Sequence, residues 1–304
     1  MEISAVICTY NRDKYIGKVL ESLANQTLDK DKYEIIVVNN NSTDNTEEVC
    51  LNFEKKHPEL NFKYVVEYNQ GLSYARNRGI DESKGDIIVF LDDDARVVPE
   101  YLEVIVDFMK KNPKAVAVGG KVMLDYDEEP PKWASKFLIP LFGYFDYSDK
   151  IARLEGKHYP RGLNMAFRKT LFDEIGVFDI NLGRTGKKLL GNEEKDIFMR
   201  IYDKGYEVYY LPEALAYHAV PVERTTSDFI KKQALGIGIS ERFRTKNLGQ
   251  NSDFTKAVFI ELFKWAASFA LLFFYTVTFK PAKGIMIVRF RYWVTKGLLT
   301  HNDL

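Results

Sequence analysis

The stretch Gly85-Asp86-Ile87-Ile88-Val89-Phe90-Leu91-Asp92-Asp93-Asp94-Ala95 runs an unbroken apolar segment into three consecutive carboxylates. Short, β-branched and bounded by Gly85 and by charge, it predicts a strand buried on both faces. The chain before it repeats the theme, with strands expected at Ser4 to Thr9, Glu34 to Asn39 and Phe62 to Val66, the fourth at Asp86 to Leu91 and a fifth at Ala115 to Gly119. Between them Ile16, Val19, Leu20 and Leu23, and later Leu102, Ile105, Val106 and Met109, recur at helical spacing. This alternation predicts an α/β fold, a mostly parallel central sheet flanked by helices. Asp44 with Glu47 reads as a helix cap, and Pro99 suits a first helical turn. Ligands of open α/β sheets bind beyond the carboxyl ends of the strands, so the loops near residues 9, 40, 68 and 92 are where chemistry is expected.

The 304 residues, 46% of them apolar, suffice for a substantial core. Forty-three basic side chains balance forty-three acidic ones, which leaves no global field to attract nucleic acid. Cys8 and Cys50 are too few for a disulfide framework or a zinc site and fit a reducing compartment. Met1 to Val6 enters an apolar run without a basic leader, so a cytoplasmic location is expected.

Three segments follow from the pattern: 1–122 as the regular α/β part, 123–222 as a second layer over the sheet, and 223–304 as a helical extension. In the second, Trp133 to Tyr147 is aromatic without a period, a helix is expected over Glu193 to Lys204, and a short strand over Glu207 to Tyr210 is ended by Pro212. In the third, Phe254 to Phe279 is helical and very apolar, but Glu261 and Lys264 leave only fifteen uncharged residues, Trp265 to Phe279. That is short for a membrane span. Seven Lys or Arg after residue 255, set among Trp265, Tyr275, Tyr292 and Trp293, suit peripheral membrane contact through 254–296 on the inner face of the cell membrane. A helical hairpin covering the core or a dimer contact fits the same pattern.

Three adjacent carboxylates disfavour joint ionisation unless a cation sits among them. Oxygen ligands suit Mg2+ or Mn2+, and such an ion can bridge a departing diphosphate. A solvated loop capping the next helix is the plainer account of the same residues.

Seven blocks extend the argument: Cys8-Thr9-Tyr10-Asn11-Arg12, Val37 to Asp44, Asn69 to Asn77, Gly85 to Asp94, Gly162 to Arg168, Gly191 to Asp196 with Arg200, and Pro212 to His218. In order and spacing they resemble family 2 glycosyltransferases of the GT-A fold, which are inverting enzymes dependent on nucleotide sugars. The resemblance implies donor contacts from Thr9, Tyr10, Arg12, Asn39, Arg76, Asp92 and Asp93, with Arg76 pairing with the diphosphate or holding the aspartates. It implies Asp94 and Asp92 as metal ligands, joined by His218. Glu194 takes the position of the general base, with Glu193 orienting the acceptor or capping the helix, and Asp196 pairs with Arg200. Arg161, Gly162, Asn164 and Trp133 fall on the acceptor side, where Gly162 permits close backbone approach. Asn39 stands where the family usually has aspartate. Its amide oxygen still accepts a bond from a uracil ring nitrogen, without charge assistance, so a UDP-sugar remains the favoured donor on weaker grounds.

The function implied is metal-assisted sugar transfer to a glycan or lipid-linked acceptor in surface polysaccharide synthesis. The rival is a catalytically inactive, membrane-docking protein of the same fold that binds a nucleotide sugar, favoured by Asn39 and by Glu193-Glu194 where most of the family has a Glu-Asp pair. A nucleotidyltransferase would need a glycine-rich, basic loop near the first strand, and Thr9-Tyr10-Asn11-Arg12 is not one.

Overall fold

A computed structural model of the chain describes residues 1–184, 191–248 and 251–300. In chain order the first half contains β1 (Ile3–Thr9), α1 (Ile16–Ala24), β2 (Tyr33–Asn39), α2 (Thr46–Lys56), β3 (Phe62–Val66), α3 (Leu72–Glu82), β4 (Ile87–Asp92), β5 (Ala95–Val97), α4 (Tyr101–Lys111) and β6 (Ala115–Tyr126). The second half contains β7 (Ala152–Leu154), β8 (Asn164–Arg168), α5 (Leu171–Ile175), α6 (Glu193–Asp203), β9 (Glu207–Val220), α7 (Ser227–Phe243), α8 (Asn251–Val277) and α9 (Pro281–Leu299).

Strand order is β3-β2-β1-β4-β8-β6-β9-β5, with β7 also on β9. β1 sits between β2 and β4 in parallel register, so Thr9 lies opposite Asn39 and Cys8 opposite Asp92. Three loops therefore open at one edge. The periodic residues of α1 and α4 are buried against the sheet, as their helical spacing requires.

Beyond β4 the sheet departs from the expected parallel pattern. β8 runs antiparallel to both β4 and β6, and β5 and β7 run antiparallel to β9, so the sheet is mixed. β8 is reached from β6 through β7 without an intervening α-helix, so no βαβ crossover imposes parallel pairing on it. β6 also continues past Gly119 to Tyr126. Gly119 and Gly120 allow it, because a Cβ at Gly119 would collide with Pro160 and one at Gly120 with the carbonyl of Ala214. The strand at Glu207 does not stop at Pro212 but reaches Val220. β7 pairs with Val208 to Tyr210 and β5 with Ala216 to His218, and Pro212 falls between those stretches, where neither partner needs its missing N–H. Asp44 precedes α2 and accepts from Thr46 N at 3.1 Å, while its other oxygen accepts from Asp13 N at 3.1 Å, so it fastens two loops as well as the helix start.

The chain divides into two compact units. One comprises Met1–Asp125, Gly143–Asn181 and Glu193–Ala219, and the other Tyr126–Phe142, Leu182–Asn192 and Val220–Leu304. The three sequence segments do not map onto these units one to one, since 126–142 and 182–192 group with the C-terminal helices.

In the second unit, α7 and α9 meet backbone to backbone: a Cβ at Gly238 would strike Val294 O, and one at Gly297 would strike Leu235 O. α8 is a continuous helix about 40 Å long, so by length and composition Asp253–Val277 suffices to cross a membrane. This corrects the fifteen-residue reading. Glu261 does not interrupt the apolar surface, because it is buried and bonded to Arg291 at 2.9 Å and Thr295 at 3.1 Å, with Lys264 at 3.6 Å. The remaining face exposes Phe259, Leu262, Phe263, Phe273 and Phe274.

Backbone crowding at Gly120 gives a direct check on the β6 path. Gly120→Ala is expected to destabilise the protein by about 1–3 kcal/mol, seen as a lower Tm in thermal denaturation, since the opposing atom is a carbonyl that cannot rotate away.

Candidate active site

The loops after β1, β2 and β3 are tied to one another by asparagines. Asn40 N donates to Thr9 O at 2.8 Å, its Nδ2 donates to Asn69 O at 2.7 Å and Glu67 O at 3.0 Å, and its Oδ1 accepts from Gly71 N at 2.8 Å. Asn11 Oδ1 accepts from Thr43 N at 2.8 Å, and Asn11 N donates to Ser42 Oγ at 2.9 Å. Asn11 and Asn41 hold φ of 54° and 62°, left-handed values that asparagine tolerates better than most residues. The sequence reading does not single out Asn40; the signal for it lies in the run Asn39-Asn40-Asn41.

Within that frame Thr9 is buried at the end of β1, and Tyr10 follows it at the exposed surface. Asn39 Nδ2 donates to Tyr64 Oη at 2.6 Å, and its Oδ1 accepts from Ser42 N at 2.9 Å. The amide is thus held with its oxygen toward the loop, one lone pair remaining for a ligand.

β4 ends at Asp92, and the chain turns through Asp93 and Asp94 into β5. Because β5 pairs with β9, Ala95 faces His218, and Ala219 N donates to Asp94 O at 3.0 Å. The ladder brings His218 Nε2 to 2.9 Å from Asp94 Oδ1. Asp92, Asp94 and His218 offer ligand atoms that all lie within 4.8 Å of one another. Two carboxylate oxygens and an imidazole nitrogen form a donor set that Mn2+ or Mg2+ accepts. Arg12 approaches the same cluster, its Nε 3.5 Å from Asp93 Oδ1 and its Nη2 3.8 Å from Asp94 Oδ2.

Arg76, expected to pair with the diphosphate or to hold the aspartates, makes its direct contacts with the glutamates that open α6. It projects from α3, is only 2% exposed, and its Nη1 donates to Glu193 Oε1 at 3.0 Å with Nη2 3.7 Å from Glu194 Oε1. Its guanidinium stands over the Phe178 ring, 5.2 Å from the centroid. Burial works against its charge, but Glu193, Glu194 and Asp92 outweigh it and raise its pKa. The cation therefore serves the glutamate pair at the start of α6, with Asp92 close enough to act on it. Gly162 completes this corner, since a Cβ there would collide with Glu194 Oε1. Asp196 pairs with Arg200 at 2.9 Å, as its helical spacing implied.

Of the acceptor-side residues, Asn164 is corrected. It is buried in β8, where its Oδ1 accepts from Tyr101 Oη at 2.8 Å and its Nδ2 donates to Ala214 O at 2.9 Å and Lys121 O at 3.2 Å. With both ends of its amide bonded inside the sheet, it is a structural residue. Trp133 belongs to the second unit, where it packs against Phe142 with 6.0 Å between ring centroids. Arg161 stacks on Phe145, 4.9 Å from the ring centroid.

Comparison with known proteins fits this geometry. The family model for glycosyl transferase family 2 matches residues 4–176. The chain is 30% identical over 256 residues to the glucosyl-dolichyl phosphate glucuronosyltransferase of Haloferax volcanii, covering 83% of this chain and 80% of the relative. Among solved structures it is similar to the mannosyltransferase PcManGT from Pyrobaculum calidifontis in complex with GDP-Man and Mn2+, with a TM-score of 0.63 at 17% identity over 99% of this chain and 88% of that one. It is also similar to S. aureus TarS in complex with UDP, with a TM-score of 0.55 at 19% identity over 95% and 90%. This chain is a glycosyltransferase of family 2, with the GT-A fold.

The Asp93 carboxyl is pushed up to about 7, by burial first and by the charge of Asp94 second, with Arg12 working the other way. Folded protein keeps this proton where the unfolded chain has released it, so Asp93 lowers stability as pH rises from the ordinary carboxylate range towards 7. Without added metal, Asp93→Asn is expected to raise Tm near pH ~8, by about 2–4 °C for each kcal/mol relieved, and to leave it unchanged near pH ~4. Thermal denaturation at the two pH values measures the difference, and an equal effect at both would rule out the ionisation penalty.

Proposed function

We propose that the protein is an inverting glycosyltransferase that moves a sugar from a nucleotide-diphosphate donor, a UDP-sugar in the favoured case, to a hydroxyl of a glycan or lipid-linked acceptor in surface polysaccharide synthesis. The observation that carries the reading is the convergence of Asp92, Asp94 and His218 at one edge of the sheet. Those three residues would hold Mn2+ or Mg2+. When bound, the ion supplies Lewis-acid stabilisation of the diphosphate leaving group. Thr9, Tyr10 and Asn39 receive the nucleoside, Asn39 offering its remaining lone pair to an imide N–H of the base. Arg12 and Asp93 border the phosphate end. Glu194 accepts the proton of the attacking hydroxyl, and Glu193 takes the shorter bond to Arg76, which leaves Glu194 the more accessible of the two. Gly162 gives the acceptor close approach to that carboxylate.

The Haloferax relative's name specifies a dolichyl phosphate-linked substrate, which supports a lipid-linked acceptor here. The exposed aromatic face of α8, together with the basic residues of α9, fits a helix pair seated in the cytoplasmic leaflet.

Asp94→Asn is expected to lower metal-dependent donor turnover by about a hundredfold or more, and to weaken Mn2+ binding in a titration. Glu194→Gln should keep donor affinity and lower transfer about 10²- to 10⁴-fold. Full activity in chelator would sink the metal assignment. For the membrane, Phe263→Glu with Phe273→Glu should reduce partition onto anionic liposomes, and unchanged partition would reject α8 as the lipid-facing element.

A further inference from the structure

Arginines of the α/β unit are well partnered, with one exception. Arg168 donates to the carbonyls of Met109, Asn112 and Ala115, Arg200 binds Asp196, and Arg12 and Arg76 meet carboxylates. Arg161 has none of this among the described residues. Its Nε is buried without a hydrogen-bond partner, and its guanidinium lies over the Phe145 ring at 4.9 Å, a contact that fixes its plane but satisfies none of its N–H groups. Arg161 as a whole is half-buried, and a partly buried guanidinium with an unsatisfied N–H carries a desolvation cost. In keeping with that, burial lowers its pKa, while Tyr159 and Glu194 pull the other way.

The seat of this cation is rigid. Arg161 O accepts from Asn164 N at 2.8 Å, and the Asn164 side chain is locked into the sheet by its three hydrogen bonds. The next residue, Gly162, presses its backbone against Glu194 Oε1. Arg161 therefore stands beside the carboxylate assigned as the base, which acts on it electrostatically but forms no salt bridge with it, and its donors are held in one plane.

We propose that Arg161 binds an oxyanion carried by the acceptor, a phosphoryl group in the lipid-linked case, while the acceptor hydroxyl meets Glu194. This rests on the reading of Glu194 as the base. The planar fork of the guanidinium matches two oxygens of a phosphate or carboxylate. One acceptor is then gripped at two points, the anion fixing which hydroxyl reaches the carboxylate.

The test compares three acceptors on the full chain with donor and Mn2+: a dodecyl glucosyl phosphate, a dodecyl glucuronide and the neutral dodecyl glucoside. Arg161→Met keeps an apolar stem against Phe145 while removing the charge, and Arg161→Lys keeps the charge without the fork. We expect Arg161→Met to raise KM for the phosphate-bearing acceptor by about ten- to a hundredfold, to leave KM for the glucoside within about twofold, and to leave UDP affinity unchanged. Arg161→Lys should restore part of the phosphate preference. Selective loss for the glucuronide alone would assign the anion to a carboxylate and overturn the phosphoryl choice. Weakened UDP binding with unchanged acceptor preference would assign Arg161 to the donor diphosphate and overturn the proposal, as would an equal loss for all three acceptors. Calorimetric binding of the glucosyl phosphate in the presence of UDP and Mn2+ needs no turnover. It therefore separates failure of the anion site from failure of the transferase reading.

Discussion

A guanidinium sealed between two glutamates ties together segments that are far apart in sequence. Arg76 belongs to α3, Glu193 and Glu194 open α6, and the turn at Gly162 leads into β8, yet all meet within one corner of the α/β unit. Taking any one of these charges out of water is costly, and removing one partner leaves the others buried and unbalanced. The position of the carboxylate assigned as base is therefore set by an arginine that precedes the aspartate run. Arg12 does the comparable task for Asp93 and Asp94, but at 3.5 and 3.8 Å and partly in solvent. One cation is built into the framework and the other is held loosely at its edge, which fits a site whose glutamate side stays fixed while its aspartate side admits ligands.

Much of this was legible in the sequence because the parallel half of the sheet is coded locally. The apolar runs at Ile3, Tyr33, Phe62 and Ile87 and the helical spacing in α1 and α4 are short-range signals, and the strand ends they imply bring Thr9, Asn39 and Asp92 together without knowledge of tertiary contacts. The antiparallel half is coded differently. β6 extends because two glycines remove side chains that would strike Pro160 and Ala214, and β9 passes through Pro212 between its pairings with β7 and β5. Both depend on neighbours distant in the chain. Arg76 illustrates the same limit: its helix and orientation followed from the loop pattern, but its choice of Glu193 over the aspartates is a matter of three-dimensional proximity. Asn164, read as a loop residue beside the acceptor, proved to be a buried amide serving Tyr101 and Ala214, because residue spacing cannot distinguish a polar group facing a pocket from one satisfied inside a sheet.

The C-terminal helices show how pairing changes the meaning of a charge. Glu261 breaks the apolar run in a linear reading, yet in the helix pair it is neutralised by Arg291 and bonded to Thr295, which also accepts from Trp265 Nε1 at 2.9 Å. Glu261, Thr295 and the indole N–H of Trp265 are thereby bonded between α8 and α9, while Phe259, Leu262, Phe263, Phe273 and Phe274 stay exposed. Pairing thus removes the one carboxylate from the surface of the apolar stretch and leaves the exposed charges there to lysine and arginine, as at Lys264 and Arg289.

The contact between Asp94 and His218 has a consequence for assembly of the fold. One partner follows the parallel half of the sheet and the other sits near the close of β9, so their contact depends on the pairing of β5 with β9. The nucleoside-side loops, by contrast, are built wholly from segments up to α3. The geometry around Asp94 is therefore tied to the register of β9 on β5. Loosening β9 anywhere along its length would be felt at Asp94 before it is felt at Thr9 or Asn39.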